Sequence, residues 1–337
     1  MHIGLTYDLR RDYLAEGFSP EATAEFDADE TIDALAATIA ACGHTVTRIG
    51  HGRALAHCLV AGARWDMVFN VAEGMYGRAR EAQVPALLEL YNIPYVGSDP
   101  LVCAATLDKA VAKTLVRAAG VHTPACAVVR SAADIPRVQL PFPLFVKPVA
   151  EGTGKGIGQA SRVTDAAQLR HMCMELLGQF QQPVLVEEFL PGREFTVGIV
   201  GTGAQARVIG LMEIVFFNAA AGTIYSYDVK ETWEQHVRYE VPPPGALRAD
   251  VEATALGAFR ALECRDMARV DVRLDGRDMA RVDVRLDGHG QAHFIEVNPL
   301  PGLHPGHSDL PILAGMAGMT YPALLGAILN SAIARLP

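Results

Sequence analysis

The sequence predicts an α/β region followed by an α+β region. Strand-like and helix-like segments alternate over roughly the first hundred residues, the signature of a parallel sheet covered by helices. Strand-like runs dominate from PVLVEEFL onward, which calls for an antiparallel sheet. Half of the 337 residues are hydrophobic, enough for a sizeable core, and at about 150 residues per domain the length allows two domains or a few subdomains.

Taken in order, HIGLTYD reads as a strand and TIDALAATIAACG as a helix ended by Gly43. HTVTRIG and MVFNV are strands, AQVPALLELYN is a helix, and IPYVGS is a strand running into a turn. LDKAVAKTLVRAAG is an amphipathic helix, TPACAVV and FPLFVKPV are strands on either side of a Pro-rich connection, and DAAQLRHMCMELLGQF is a helix. PVLVEEFL, EFTVGIVG, ARVIGLMEIVFF and TIYSYDVK follow as strands, then RADVEATALGAFRALE as a long helix, HFIEVN as a strand and YPALLGAILNSAIARL as a closing helix.

The formal charge of -9 argues against a nucleic-acid partner, because phosphate contacts need clustered Lys and Arg. The opening MHIGLTYDLRRDY alternates and turns charged early, unlike a secretory signal. No apolar run is long enough for a membrane span. The cysteines are scattered without a CxxC pair, which disfavours a zinc site or a disulfide framework and fits packed thiols in a cytoplasmic protein. The first strand–helix turn, YDLRRD, lacks GxGxxG, so a dinucleotide-binding dehydrogenase is a poor reading.

The strongest local signal is FIEVNPLPG. Glu296 and Asn298 stand two apart on a strand and so share a face; a carboxylate and an amide oxygen side by side suit a hard cation such as Mg²⁺. The bland alternative is a surface strand with two polar residues, against which stand the apolar neighbours Phe294, Ile295 and Val297 and the Pro-Gly turn that follows. A hairpin around His289 and Gly290 would set Asp283 opposite Glu296 as a third ligand, with Arg281 on the same face.

That preceding strand is written twice. Residues 265–276 and 277–288 are the identical block RDMARVDVRLDG. The repeat is even in length, so side-chain parity does not choose between Arg269 with Asp271 and Arg281 with Asp283. Loop closure favours the second copy: using the first lengthens the turn by twelve residues, at about 1 kcal/mol. The expectation is therefore that Arg281 and Asp283 serve the site and that the first copy is looped out or forms an extra edge. Either register leaves one Arg-Val-Asp spare.

Lys109, Lys147 and Lys230 form a basic group. A lone lysine is ordinarily a solvated charge, but Lys147 sits in an apolar strand directly before the Gly-rich loop EGTGKGIG, residues 151–158. Backbone N–H groups of such a loop (Glu151, Gly152, Thr153, Gly154) can wrap phosphates, although the P-loop pattern is absent. In VLVEEFLPGREF, residues Glu187, Glu188, Phe189 and Leu190 end a strand that can meet an adenine edge, with Glu194 placed for ribose hydroxyls; an ordinary strand–turn–strand explains the segment alone equally well.

These pieces stand in the order of the ATP-grasp superfamily, and the chain resembles the D-alanine–D-alanine ligase family. The resemblance rests on AEGMYGRAREAQVPALLELYNIPYVGSDP, TLDKAVAK, FVKPVAEGTGKGI, VLVEEFLPGREFTV, YSYDVK, ARVDVRLDGHGQAHFIEVNPLPGL and HSDLP, which cover nearly the whole length. It implies an ATP-grasp fold in three parts: a Rossmann-like parallel α/β domain over 1–98, a central subdomain over 99–185, and a C-terminal subdomain over 186–337 with the metal site. It implies an ATP-dependent ligase that turns a carboxylate into an acyl phosphate and then into a peptide bond. Lys109 and Lys147 would contact ATP phosphates, Lys230 the γ-phosphate, residues 187–190 the adenine and Glu194 the ribose. Asp283, Glu296 and Asn298 would hold two Mg²⁺ ions, a role Mn²⁺ can also fill. Arg281 and the Gly302 backbone would stabilise the oxyanion, and Ser308 would bind the second substrate's carboxylate. Small amino acids, D-alanine first among them, would be the substrates, in a cytoplasmic protein that relatives suggest is a homodimer.

Four departures fall in the amino-acid pocket. Thr153 and Gly154 stand where the family has paired serines, Glu231 stands where a tyrosine follows the lysine, and NVAEG replaces a histidine-glycine segment. The glutamate that binds the first substrate's amino group has two candidates, Glu25 and Glu30. A ligase joining a different acid and amine, and an ATP-binding partner without catalysis, are the alternatives.

Overall fold

A computed structural model describes residues 1–217, 236–275 and 290–336. The predicted alternation at the start becomes a parallel sheet of β1 (His2–Thr6), β2 (Thr45–Gly50), β3 (Met67–Asn70) and β4 (Tyr95–Val96), in the order β2-β1-β3-β4. Helices α1 (Arg10–Ala15), α2 (Asp29–Ala41), α3 (Gly52–Val60) and α4 (Gln83–Leu90) lie between these strands. Gly43, at φ 88° just past α2, takes the left-handed conformation that ends the helix. Two of these helices, α1 and α3, were not expected from the sequence.

After α5 (Pro100–Leu107) and α6 (Lys109–Ala118), a second sheet forms from β5 (Cys126–Val129), β6 (Leu144–Pro148), β7 (Arg162–Val163) and β8 (Val184–Glu188). Its order is β5-β8-β6-β7, all antiparallel, with α7 (Ala166–Phe180) packed on one face. The third sheet holds β9 (Glu194–Val200), β10 (Arg207–Phe216), β11 (Val237–Glu240), β12 (Met267–Leu274) and β13 (Ala292–Asn298), in the order β11-β10-β9-β12-β13. Helix α8 (Ala246–Ala261) shares a core with it. Helices α9 (Asp309–Met316) and α10 (Tyr321–Ile333) return to the beginning of the chain: Leu324, Leu325 and Ile328 pack in one cluster with Ile3, Leu5 and Ile32. Among the described residues no single helix is long and apolar enough to cross a membrane.

The duplicated block corrects an expectation. The strand between β9 and β13 is the first copy, with Asp271 opposite Glu296 and Arg269 opposite Asn298. It is neither looped out nor at an edge. Arg281, Asp283 and His289 lie outside the described residues, as does Lys230. Loop closure misled because choosing the second copy does not remove the extra twelve residues; it moves them to the link between α8 and the strand. That link, residues 262–266, is short and packed, with Leu262, Cys264 and Asp266 buried. Asp266 is fully buried and accepts hydrogen bonds from Arg335, Ser331 and the Gly97 N–H. On β12, Ala268, Val270, Val272 and Leu274 are buried in the core with α8, and Arg269, Asp271 and Arg273 alternate onto the other face.

Candidate active site

Many of the residues singled out in the sequence line two adjoining hollows that share a seam. The smaller, a cleft of about 80 Å³, is lined by Phe145, Lys147, residues 187–190, Glu194, Asp271 and Arg273. The larger, about 410 Å³, is lined by Glu25, Asp27, Glu73, Glu81, Thr153, Arg269, Asn298, Gly302 and Ser308. Lys109, Glu151 and Glu296 line both.

In the cleft, Lys147 lies on β6 beside β8, and its ammonium is 2.8 Å from Glu187. Lys113, fully buried, approaches the same carboxylate at 2.9 Å and donates to Thr123 Oγ1. Burial opposes ionisation of Glu187, but the two ammonium groups outweigh it and hold its pKa below the ordinary carboxylate value. Burial likewise works against Lys147, and Glu187 and Glu296 reverse it, so Lys147 stays a cation. The Glu187 side chain is thus committed to the two lysines. Glu188 accepts from the Ala125 N–H at 3.2 Å. Phe189 lies under the guanidinium groups of Arg162 and Arg273, and Arg273 also reaches Glu194 at 3.2 Å.

At the seam, Asp108 caps α6 by accepting from the Ala110 and Val111 N–H groups, which sets Lys109 at the start of the helix. The Lys109 ammonium donates to the Glu151 carbonyl and lies 3.6 Å from Glu296. Regular antiparallel register sets Asp271 level with Glu296 and Arg269 level with Asn298, and the ladder is interrupted by a bulge just beyond, between Asp271 and Val272. Arg269 bridges Asp271 at 3.2 Å and Asp309 at 3.1 Å. Gly302 packs so closely on Ser308 that a Cβ would stand 2.7 Å from its Oγ, and Ser308 Oγ accepts from the His304 N–H.

The Gly-rich loop is tied down from the N-terminal side. Glu25 accepts from the Gly152 N–H at 2.7 Å, Lys155 at 3.1 Å and Arg80 at 3.1 Å. Thr153, at φ 49°, occupies a conformation that costs a β-branched residue energy, followed by Gly154 at φ 79°. Glu30, on α2, is exposed. Burial, followed by the charges of Glu81 and Glu25, raises the Glu73 pKa well above the ordinary value. Burial raises Asp27 to about 7, with Asp8 adding to it, and raises Glu81 to about 7 despite Arg80.

Several site residues escaped the sequence reading: Lys113, Arg80, Lys155, Glu73, Arg273 and Asp309. One carried a signal, since Lys113 falls four residues after Lys109 and so on the same helix face. The others are brought to the seam by contacts between distant segments.

The arrangement of a parallel sheet followed by two antiparallel sheets with a charged cleft between them is the ATP-grasp fold. The crystal structure of D-alanine–D-alanine ligase from Bacillus anthracis complexed with ATP matches 99% of this chain and 98% of its own, with a TM-score of 0.69 at 24% identity. The VanG D-Ala:D-Ser ligase of Enterococcus faecalis matches with a TM-score of 0.71 at 20% identity, over 98% of this chain and 99% of its own. The family model for the D-ala D-ala ligase C-terminus matches residues 115–276 and 272–330, two stretches that meet at the repeated block. An uncharacterized protein of Sinorhizobium fredii is 35% identical over 277 residues, 80% of this chain and 75% of its own length. D-alanine–D-alanine ligase of Bordetella pertussis is 34% identical over 280 residues, 82% of this chain and 81% of its own. The chain belongs to the D-alanine–D-alanine ligase family.

Proposed function

We propose that this protein is an ATP-dependent ligase that joins two D-alanine molecules through an acyl phosphate, releasing ADP and phosphate. The observation that carries the reading is the seam. Lys109, Glu151 and Glu296 line both hollows, so a nucleotide in the cleft would end where a carboxylate in the cavity begins, the in-line geometry that phosphoryl transfer needs.

Phe189 and the backbone of residues 187–190 take the adenine, Glu194 the ribose, and Lys109, Lys147 and the 151–154 backbone the phosphates. Lys230 is the further candidate for the γ-phosphate. Asp271, Glu296 and Asn298 fit Mg²⁺ or Mn²⁺: the donors are all oxygens, and Asp271 and Glu296 are register partners. Among the described residues no group of three His, Cys, Asp or Glu side chains is arranged to hold a metal ion, and a set of two carboxylates and an amide leaves positions for the phosphate oxygens and waters that Mg²⁺ retains. Two such ions, when bound, neutralise charge on the transferring phosphoryl group. Arg269 and the Gly302 N–H stabilise the tetrahedral oxyanion, Ser308 receives the second substrate's carboxylate, and the Gly-rich loop over the seam excludes the water that would hydrolyse an acyl phosphate. The protein works in the cytoplasm as a homodimer, on the pattern of the family, in the three units 1–98, 99–185 and 186–337.

The test is ADP release with MgATP and D-alanine, with the product identified by mass spectrometry. D-alanyl-D-alanine is expected. ADP release with other acids but not D-alanine would leave a ligase of different substrates, and no release with any acid–amine pair would sink the enzymatic reading.

A further inference from the structure

Of Glu25 and Glu30, the two residues the sequence offered for the acid substrate's amino group, only Glu25 lines the cavity, and its carboxylate is already engaged. Gly152 N–H and one Arg80 nitrogen address Oε1, while Lys155 and Arg80 address Oε2. An ionised carboxylate offers about four acceptor positions, so an ammonium reaching Glu25 would have to displace the contacts that hold the Gly-rich loop. Glu73 differs. It follows β3 at the head of the cavity and lines it. No hydrogen bond or ion pair ties its carboxylate to any other described residue. The charges that act on it most are those of Glu81, Glu25, Arg80 and Asp27, three carboxylates against one guanidinium, an environment that favours an arriving positive charge. Thr153 Oγ1, buried on the same cavity wall, also has no partner among the described residues, a second polar atom left for a ligand.

We propose that Glu73 receives the ammonium group of the acid substrate, and that Glu25 instead latches the Gly-rich loop to the N-terminal sheet. This rests on the ligase reading. It makes Glu73 a specificity-determining residue: the cavity selects a carboxylic acid bearing a free primary ammonium, which the Glu73 carboxylate meets while the substrate's own carboxylate faces Glu296 and Lys109 at the seam. Burial and the neighbouring carboxylates raise the Glu73 pKa when no cation is bound, and an arriving ammonium favours its charged form as a hydrogen-bonded ion pair.

Two measurements test it. In steady-state ADP release with D-alanine, Glu73→Gln is expected to raise the KM for the acid substrate about tenfold or more, with the KM for ATP unchanged. Glu25→Gln is expected to lower kcat through the loosened loop. An unchanged D-alanine KM in Glu73→Gln, or the KM effect appearing in Glu25→Gln instead, overturns the assignment. The second measurement needs no turnover: saturation-transfer NMR of ethylammonium in the presence of MgADP. Signal with the wild type that is lost in Glu73→Gln supports the proposal; equal signals, or none from either protein, overturn it. If the wild type releases no ADP with D-alanine, the substrate reading fails, and the ethylammonium titration still decides the role of Glu73.

Discussion

In the smaller cleft, Glu187 stands between Lys113 and Lys147 at 2.9 and 2.8 Å; in the larger cavity, Glu73 feels the charges of Glu81, Glu25 and Asp27, while Arg80 and Lys155 are ion-paired with Glu25. Both regions bury ionisable groups, and they do so with opposite results. The cleft compensates its charges on neighbouring strands, so Lys147 stays a cation. The cavity leaves carboxylates undercompensated, which costs stability when empty and creates demand for a cation. On the proposed reading, the contrast separates an anion site prepared in advance from an ammonium site completed by its ligand.

The largest effect expected lies at the metal set. Asp271→Asn should lower ADP release about a thousandfold or more, whereas Asp283→Asn should leave it near wild type. The reverse pattern would return the second copy to the site. Next comes the core of the cleft. Glu187→Gln should cost about 3–5 kcal/mol of stability, because two buried ammonium groups lose their shared partner; chemical denaturation measures this. A loss under 1 kcal/mol would show that the charges are less dependent on one another than their geometry implies.

On the cavity side the effect is smaller and follows pH. Burial raises the Asp27 pKa to about 7 from 3.8. The folded state therefore holds a proton that the unfolded state gives up. The stability cost is absent below about pH 4 and grows as pH rises toward 7. Asp27→Asn should melt a few degrees above wild type at pH 8, and the margin should shrink toward zero near pH 4. A margin independent of pH would rule out this origin. The smallest effect should come from deleting residues 277–288, which shortens the connection from Leu274 to Ala292 and leaves DGHGQ as the turn. Activity should be retained and the melting temperature unchanged or raised slightly, since closure entropy varies only with the logarithm of loop length. Loss of activity would show that the second block has a task of its own.

The elements and the cleft were largely legible before the structure. Lys147 stood out because a lysine inside an apolar strand before a glycine-rich loop is a local anomaly, and Glu296 with Asn298 because spacing of two on a strand fixes a shared face. Lys109 was found by motif, and its neighbour Lys113 could have been found by helical spacing. The cavity was much less legible. Glu25 and Glu30 were both candidates for one contact; Glu25 holds the Gly-rich loop and Glu30 is exposed, while Glu73 was passed over inside NVAEG, a segment noted only for replacing a histidine-glycine pair. Arg80 and Lys155, seventy-five residues apart, meet on Glu25, and no window along the chain contains that meeting.

The alternation of strands and helices, the family and the chemical types at the seam could be read along the chain, because periodicity and residue chemistry are local properties. Which Arg-Val-Asp joins β13, and which carboxylates are left undercompensated, was settled by folding. The two copies of RDMARVDVRLDG are identical, so every local preference is the same for both. The choice between them falls to the short packed link from α8, and the charge balance of the cavity to segments that folding alone brings together.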